Sequence, residues 1–416
     1  KLLRNQRKSI TLVFFVLLGT SVFSQNQQQV QNPVTKAHAD SFGQLLVQTY
    51  DGRFSSVHSL AIDVIHKLTG QDHFEFSGKG KMDAMHLFLD IQLDPNYWIK
   101  QDLIIVREKA LRDILGINKK HLPFIAFLNA DRTYRLEDLV QKAFQKKAAD
   151  QSSLEREIIK VTERVTLFDM LVNGTLLKVF PIQNSNNHEW ISWNDSIAFK
   201  PLTKDIIAPK SNLTFEHQTY AEIMRSYLVS TLKARQNNDY QEPDRWLTYM
   251  KQLQRQLTPP ELLPSTSKIK REVLYNKWDI FGKLKYIYAL LGLILLVLSF
   301  VQNFRTSAEK KLNLFMQVVT GFIVLAFVYQ TFGMGLRWYL GGHAPWSNGY
   351  EVLLLVAWGS ILAGLYVIRY SKITLAATAL LAFLILMTAG HSYYDPQLTN
   401  LNPVLKSYWL IIHVAI

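Results

Sequence analysis

Not one of the 416 residues is cysteine, and that absence removes a large share of the available chemistry. Disulfides, zinc–thiolate sites, iron–sulfur clusters and a thiol nucleophile are all excluded within the chain. So is Cys-x-x-Cys-His, the motif through which a protein keeps haem by thioether bonds of its own. Acidic side chains are also scarce, 33 against 46 Lys and Arg, for a net charge of +13. A nucleic-acid partner is one use for such a balance, but no Gly/aromatic binding motif or recognition-helix pattern accompanies it. Basic residues beside apolar segments account for the excess more simply, so we expect no nucleic-acid partner. Residues 25–280 show no convergent acid pair, no Gly-rich phosphate loop and no nucleophile elbow.

What the chain has in quantity is apolar sequence, 48% overall and unevenly placed. Four apolar runs, Tyr286–Phe304, Leu312–Phe332, Val352–Ile368 and Ile373–Ala389, each come close to the ~20 residues needed to span hydrocarbon. A fifth starts near Pro403, with Asn402 as its cap and proline at the first helical position. Ahead of them, residues 1–24 join a basic start (Lys1, Arg4, Arg7, Lys8) to the apolar run Ile10–Ser24. Because residue 1 is not Met, that run reads as the last helix of a preceding membrane portion rather than a signal peptide. With Ile416 falling inside an apolar helix, we expect the chain to be a fragment of a longer protein. Gln25–Lys36 is a polar, Gln-rich linker.

Residues 25–280 have the mixed composition of a soluble domain. Helical spacing predicts helices over His58–Leu68, Leu136–Ala148, Leu154–Leu171, Tyr220–Gln236 and Arg245–Leu257, and short apolar runs predict strands at Leu103–Val106 and Phe124–Leu128. A turn is expected at Asp51-Gly52. His58, His66 and His73 lie close in sequence, but His58 and His66 are two turns apart and would not converge on one ion, so they read as surface or core histidines. The expectation is a polytopic α-helical membrane protein with a large, mainly helical extracytoplasmic domain carrying some short strands. Its divisions are 1–24 (membrane helix), 25–280 (soluble domain, a binding or scaffolding module) and 281–416 (multi-helix membrane domain).

Topology follows from parity. If residue 1 starts in the cytoplasm, 25–280, 338–350 and 390–402 fall outside, and 305–311 and 369–372 fall inside. Both short inner loops are basic, as the positive-inside rule requires. The basic approach Lys268, Lys270, Arg271, Lys277, Lys283 and Lys285 would be outside, against the rule; short loops are the better guide, because charge bias beside a long translocated domain is weak.

The densest polar chemistry beside these apolar runs is His343–Glu351, read HAPWSNGYE, together with the last helix, which carries Trp409 and His413. Asn348 suits an N-cap and Glu351 sits three residues on, the pattern of reciprocal capping; a well-capped interfacial turn with a Trp anchor is the plain reading. His413 lies about ten residues into the final helix, roughly 15 Å down, with Trp409 one turn above on the same face. A histidine there is costly unless it faces a cavity or partner, and a flat apolar ligand held by imidazole beside an indole would meet both needs.

Trp346-Ser347-Asn348-Gly349-Tyr350-Glu351 before an apolar run, and Leu405-Lys406-Ser407-Tyr408-Trp409 leading to His413, resemble the cytochrome c synthases of the System II maturation pathway. The likeness is to the fused, two-part synthase of Bacteroidetes-type bacteria, and also takes in Asp51-Gly52-Arg53 and Tyr275-Asn276-Lys277. The resemblance implies a protein of the bacterial cytoplasmic membrane, with residues about 25–280 in the periplasm. It implies that haem b is presented at the outer face and joined by thioethers to Cys-x-x-Cys-His of an apocytochrome c. The partners implied are apocytochrome c, haem, the lipid bilayer and thiol-reducing proteins. It makes His413 the candidate axial haem ligand and Trp409 the candidate packing partner. Trp346, Ser347, Asn348, Tyr350 and Glu351 match a recurrent motif whose individual roles stay open. The family's Trp-rich haem-handling segment and second external histidine would fall after Ile416. His343 and His391 are weaker candidates and read first as solvated loop residues. Two other readings stand beside this one: a transporter of haem or another small molecule without ligase activity, and a membrane-anchored sensor or scaffold with an external binding domain.

Overall fold

A computed structural model describes residues 33–71, 73–76, 80–182, 185–202, 219–304, 310–390 and 396–398. The expectations at residues 1–24, at His391 and from Pro403 through Trp409 to His413 lie outside the described residues. The chain divides into two compact units, one of residues 1–48 and 60–263, the other of residues 49–59 and 264–416.

The first unit is built around the helix Ala84–Leu93, whose ten residues are all buried. Asp83 caps it by accepting the His86 amide at 3.0 Å. The helices Lys36–Gly43, Ser153–Val172 and Tyr220–Asn237 pack against it. It is apolar nearly all round, which gives a buried helix no 3.6-residue signature to read. Its one acid, Asp90, is neutralised by buried Arg235 at 3.0 Å and accepts the Trp98 indole N–H at 2.9 Å. The predicted helices stand at Val57–Thr69, Glu137–Gln145, Ser153–Val172, Tyr220–Asn237 and Gln241–Leu257. Capping boxes at Ser152/Glu155 and Thr219/Glu222 start two of them.

Strand content is small. Ile104–Ile105 pairs antiparallel with His121–Leu122, within the predicted Leu103–Val106 strand. Phe124–Leu128, predicted as a strand, is instead a 3-10 turn over Phe124–Phe127. A helical turn brings Phe124 and Phe127, three apart, inward together while Ile125 stays 45% exposed; strand alternation would have split the two aromatics.

The second unit holds four helices long and apolar enough to cross a membrane, and the protein is a multi-pass membrane protein. We refer to them as the first span (Ile280–Phe304), second span (Lys310–Gly341), third span (Gly349–Val367) and fourth span (Lys372–Ala389). The helix Thr266–Trp278 leads into the first span through Asp279, which adopts the left-handed conformation (φ 42°). The second span extends nine residues beyond the predicted Leu312–Phe332 run, so residues 338–341 are helix rather than loop. At 32 residues it is about 48 Å long, well over the ~30 Å of hydrocarbon, so its end reaches the membrane rim.

Small residues bring these helices together. On the fourth span Ala376, Ala379 and Ala382 are fully buried, and the helix packs against both the first and third spans. A Cβ at Gly292 would lie 3.1 Å from the Ala379 methyl and 3.2 Å from the Leu380 amide nitrogen; one at Gly364 would clash with the Thr378 hydroxyl. Lipid offers no hydrophobic drive between helices, so such close approach supplies much of their attraction. Outward positions are apolar, with Leu290 61% and Leu325 63% exposed. Across the interior Tyr288 donates to the Gln330 side-chain oxygen at 2.8 Å, and Gln330 donates to the Leu354 carbonyl at 3.3 Å.

Gly364→Val is expected to cost about 1–3 kcal/mol by overpacking, and Thr378→Ala in the same chain to recover part of it, read from thermal unfolding in detergent. A second test concerns His38 of the first unit. Its Nδ1 donates to Asp244 at 2.9 Å, and its Nε2 accepts the Tyr227 hydroxyl at 3.1 Å. Burial pushes its pKa below the ordinary imidazole value, Asp244 offsets this only in part, and Lys251 adds to the lowering. The unfolded chain therefore takes up the proton first. The contribution is complete above the ordinary value near 6.5 and is lost as pH falls below it. Thermal unfolding of this unit should drop from pH 7 to pH 5, and His38→Gln should flatten that dependence.

Candidate functional site

The apolar second span carries one fully buried cation, Arg337, one turn from its end. A guanidinium there must be paired and hydrogen-bonded, because it holds its charge under all conditions and desolvation is severe. The residues that meet this demand come from three stretches of chain. Glu351, in the first turn of the third span and 1% exposed, accepts the Arg337 Nε–H at 2.8 Å. The Tyr275 hydroxyl, on the helix before the first span, accepts from Nη1 at 3.3 Å. The Tyr350 ring lies under the guanidinium, 5.0 Å from its centroid. The carbonyls of Pro396 and Gln397, beyond the fourth span, accept from Nη1 and Nη2 at 2.7 and 2.8 Å.

The motif supplies the other half of the arrangement. The second span ends at Gly341, Gly342 (φ 75°) turns the chain, and Asn348 caps the third span by accepting the Glu351 amide at 2.9 Å. The Glu351 side chain does not return to the Asn348 amide as a reciprocal box would. Its second oxygen takes the Ser347 amide at 2.8 Å and the Ser347 hydroxyl at 2.7 Å, leaving the first for Arg337. Ser347, Asn348, Tyr350 and Glu351 thus form one assembly around Arg337. Trp346 is half-buried on the connecting loop, its amide donating to the Ala344 carbonyl at 2.9 Å. His343 is half-buried on the same loop, its Nδ1 3.0 Å from the Ala344 carbonyl.

A second arginine repeats the pattern. Arg53 follows the expected turn, in which Gly52 takes φ 79° and donates to the Thr49 carbonyl at 2.9 Å. Its Nη2 is 3.0 Å from Glu272, which is 2% exposed, and its Nη1 donates to the Leu398 carbonyl at 2.7 Å. Glu272 also accepts the Ser59 hydroxyl at 2.6 Å, and Asn276 donates to that Ser59 oxygen at 2.8 Å. Asp51-Gly52-Arg53, Tyr275-Asn276 and the Trp-Ser-Asn-x-Tyr-Glu segment, far apart in sequence, meet at one end of the span bundle.

Reading the sequence missed Arg337. The signal was there: a lone arginine in a long apolar helix is a functional candidate by default. Ending the helix at Phe332 had placed it at the edge of a loop. Among the described residues no cluster of three His, Asp or Glu could hold a metal ion. The pairing around Arg337 should be strongly cooperative. Arg337→Ala or Glu351→Ala alone is expected to cost about 3–5 kcal/mol, since each strands a buried charge, and the double variant less than the sum of the two, in a thermal-unfolding double-mutant cycle.

No family model matches the chain. It is 30% identical over 382 residues, 90% of its length, to Protein NrfI of Wolinella succinogenes, and covers 39% of that protein. It is 36% identical over 103 residues to the cytochrome c biogenesis protein CcsA of Prochlorococcus marinus, covering 24% of this chain and 32% of that one. To the protein of the same name from Pyropia yezoensis it is 32% identical over 104 residues, 24% of this chain and 33% of that one. The chain therefore spans well under half the length of these relatives.

Proposed function

From the premise that this chain is a relative of the System II cytochrome c synthases, we propose that it works in cytochrome c maturation, as part of a protein that presents haem b at the outer face of the bacterial cytoplasmic membrane and joins it to apocytochrome c. Haem is the substrate here. In the joining step each thiol of a Cys-x-x-Cys-His motif adds across one haem vinyl group. The sulfur bonds to one vinyl carbon and the hydrogen ends on the other, so nothing leaves and no net oxidation occurs. Such an addition needs positioning above all, and holding both partners in register is what a membrane scaffold can supply.

The observation that carries this reading is the assembly around Arg337. It commits the motif shared with the synthases to building one end of the span bundle. The same assembly holds the carbonyls of Pro396 and Gln397, in the chain that leads in sequence to Trp409 and His413. On this reading His413 is the axial haem ligand and Trp409 packs on the ring, while Ser347, Asn348, Tyr350 and Glu351 have a structural role. The ends of the spans that gather Arg337, Glu351 and 396–398 face the periplasm, which puts Lys310, Lys311, Arg369 and Lys372 on the cytoplasmic side. Thiol-reducing partners keep the apocytochrome cysteines available.

The test is an optical spectrum of the full-length protein purified in detergent from cells that make cytochrome c. Wild type should carry haem; His413→Ala should weaken or shift the reduced spectrum, with recovery on adding imidazole. Identical spectra would remove His413 from the site, and no haem in either preparation would overturn the reading.

A further inference from the structure

The outward face of the second span carries an open cleft of about 540 Å³, lined by Leu325, Val328, Tyr329 and Phe332 of that span and by Trp278, the last residue of the helix Thr266–Trp278. These two helices run side by side in opposite directions. Arg271 lies over the Tyr339 ring, 5.1 Å from its centroid, Tyr275 meets Arg337, and Trp278 meets the Phe332 ring at 6.1 Å. Leu325, Val328, Phe332, Gly335 and Tyr339 follow one another at intervals of three and four residues, so they form one exposed stripe along the second span. Between Phe332 and Tyr339 the stripe has no side chain, and a Cβ at Gly335 would meet nothing within 4 Å. The cleft therefore continues past Gly335 to Arg271.

Depth and charge decide what suits such a cleft. The opposite rim of the bundle lies near Asn313, whose side-chain oxygen accepts from Gln302 at 2.8 Å and from Lys372 at 3.4 Å. The ~20 residues that cross hydrocarbon, counted from there, end close to Phe332. Leu325–Phe332 thus faces acyl chains, and Tyr339, about 10 Å further along the helix, stands at headgroup depth with the exposed Trp338 beside it. Arg271 is exposed at that same depth. Arg53 and Arg337 each have a buried glutamate, whereas Arg271 rests on an aromatic ring and has no carboxylate within ion-pair distance among the described residues. A guanidinium on a ring keeps its N–H edge for an oxyanion, and phosphate matches that fork. A packed helix would cover the apolar lining but leave the arginine unanswered. An apolar tail joined to a phosphate answers both ends.

We propose that this cleft binds one phospholipid of net negative charge, its tail along Leu325–Phe332 against Trp278 and its phosphate on Arg271. Bound there, the lipid ties the helix Thr266–Trp278 to the second span. The site goes beyond the haem chemistry and does not rest on it. It also holds whichever way this end of the bundle faces, because the lipid comes from the leaflet on its own side.

The test uses the full-length protein in vesicles of phosphatidylcholine mixed with phosphatidylglycerol, one of the two brominated on its chains so that it quenches indole fluorescence on contact. The signal of Trp278 is the difference between wild type and Trp278→Phe. Brominated phosphatidylglycerol should quench that signal with an affinity about fivefold above that of brominated phosphatidylcholine, the factor that one cation at a membrane surface supplies. Arg271→Gln, a change at an exposed position, should bring the ratio close to one. Raising salt from about 0.1 M to about 1 M, which shortens the screening length from about 10 Å to about 3 Å, should lower the ratio in the unaltered protein, so the answer does not hang on how a variant folds. Equal quenching by the two lipids in wild type overturns the anionic site. A ratio that survives Arg271→Gln overturns the role of Arg271. If neither lipid quenches Trp278, another span or a second copy of the protein covers the cleft, and the proposal fails outright.

Discussion

The Arg337–Glu351 pair is the constraint around which the membrane unit is organised. A permanent cation buried at the rim of a bilayer is costly, and its compensation is gathered from three separate stretches of chain. Glu351 provides the counter-charge, Ser347 and Asn348 set the carboxylate and the helix start, Tyr275 and Tyr350 cover the guanidinium, and residues 396–397 close the remaining donors. Removing any one member leaves its neighbours with unmet polar groups in a place where water is poor compensation. A motif that looks like a simple helix cap along the sequence is thus the visible edge of a three-dimensional requirement.

The two units solve the burial of polar groups differently. The first unit has an interior of side chains, with Asp90 and Arg235 paired inside it and Trp98 satisfying the second carboxylate oxygen. The span bundle is held by near approach of backbone at Gly292 and Gly364, with polar struts such as Tyr288–Gln330–Leu354 in between. Cavity formation is the main hazard in the former, and added bulk in the latter.

Much of this was legible in advance, for physical reasons that differ by element. The four spans announced themselves by length and apolarity, and helices such as Ser153–Val172 and Tyr220–Asn237 by periodicity with a capping box at the start. Ala84–Leu93 left no trace, because a helix covered on every side has no polar face to mark its period. Phe124–Phe127 misled because a four-residue apolar run is equally at home in a strand or a turn. At the site, Asn348 and Glu351 could be picked out from spacing alone. Their purpose could not, since it depends on Arg337, Arg53 and three carbonyls whose convergence is a fact of tertiary structure. Asp51-Gly52-Arg53 and Tyr275-Asn276-Lys277 were recognisable only as resemblance until the fold put Arg53 against Glu272 and Tyr275 against Arg337.

The total enclosure of the Ala84–Leu93 helix has a consequence for how the chain is made. Its covering helices come from Lys36–Gly43, Ser153–Val172 and Tyr220–Asn237, so the last wall is synthesised nearly 150 residues after the helix itself. Until Arg235 emerges, Asp90 has no counter-ion and the apolar faces of this helix have no final partner. The domain therefore closes late, after a long interval in which a sticky segment is exposed.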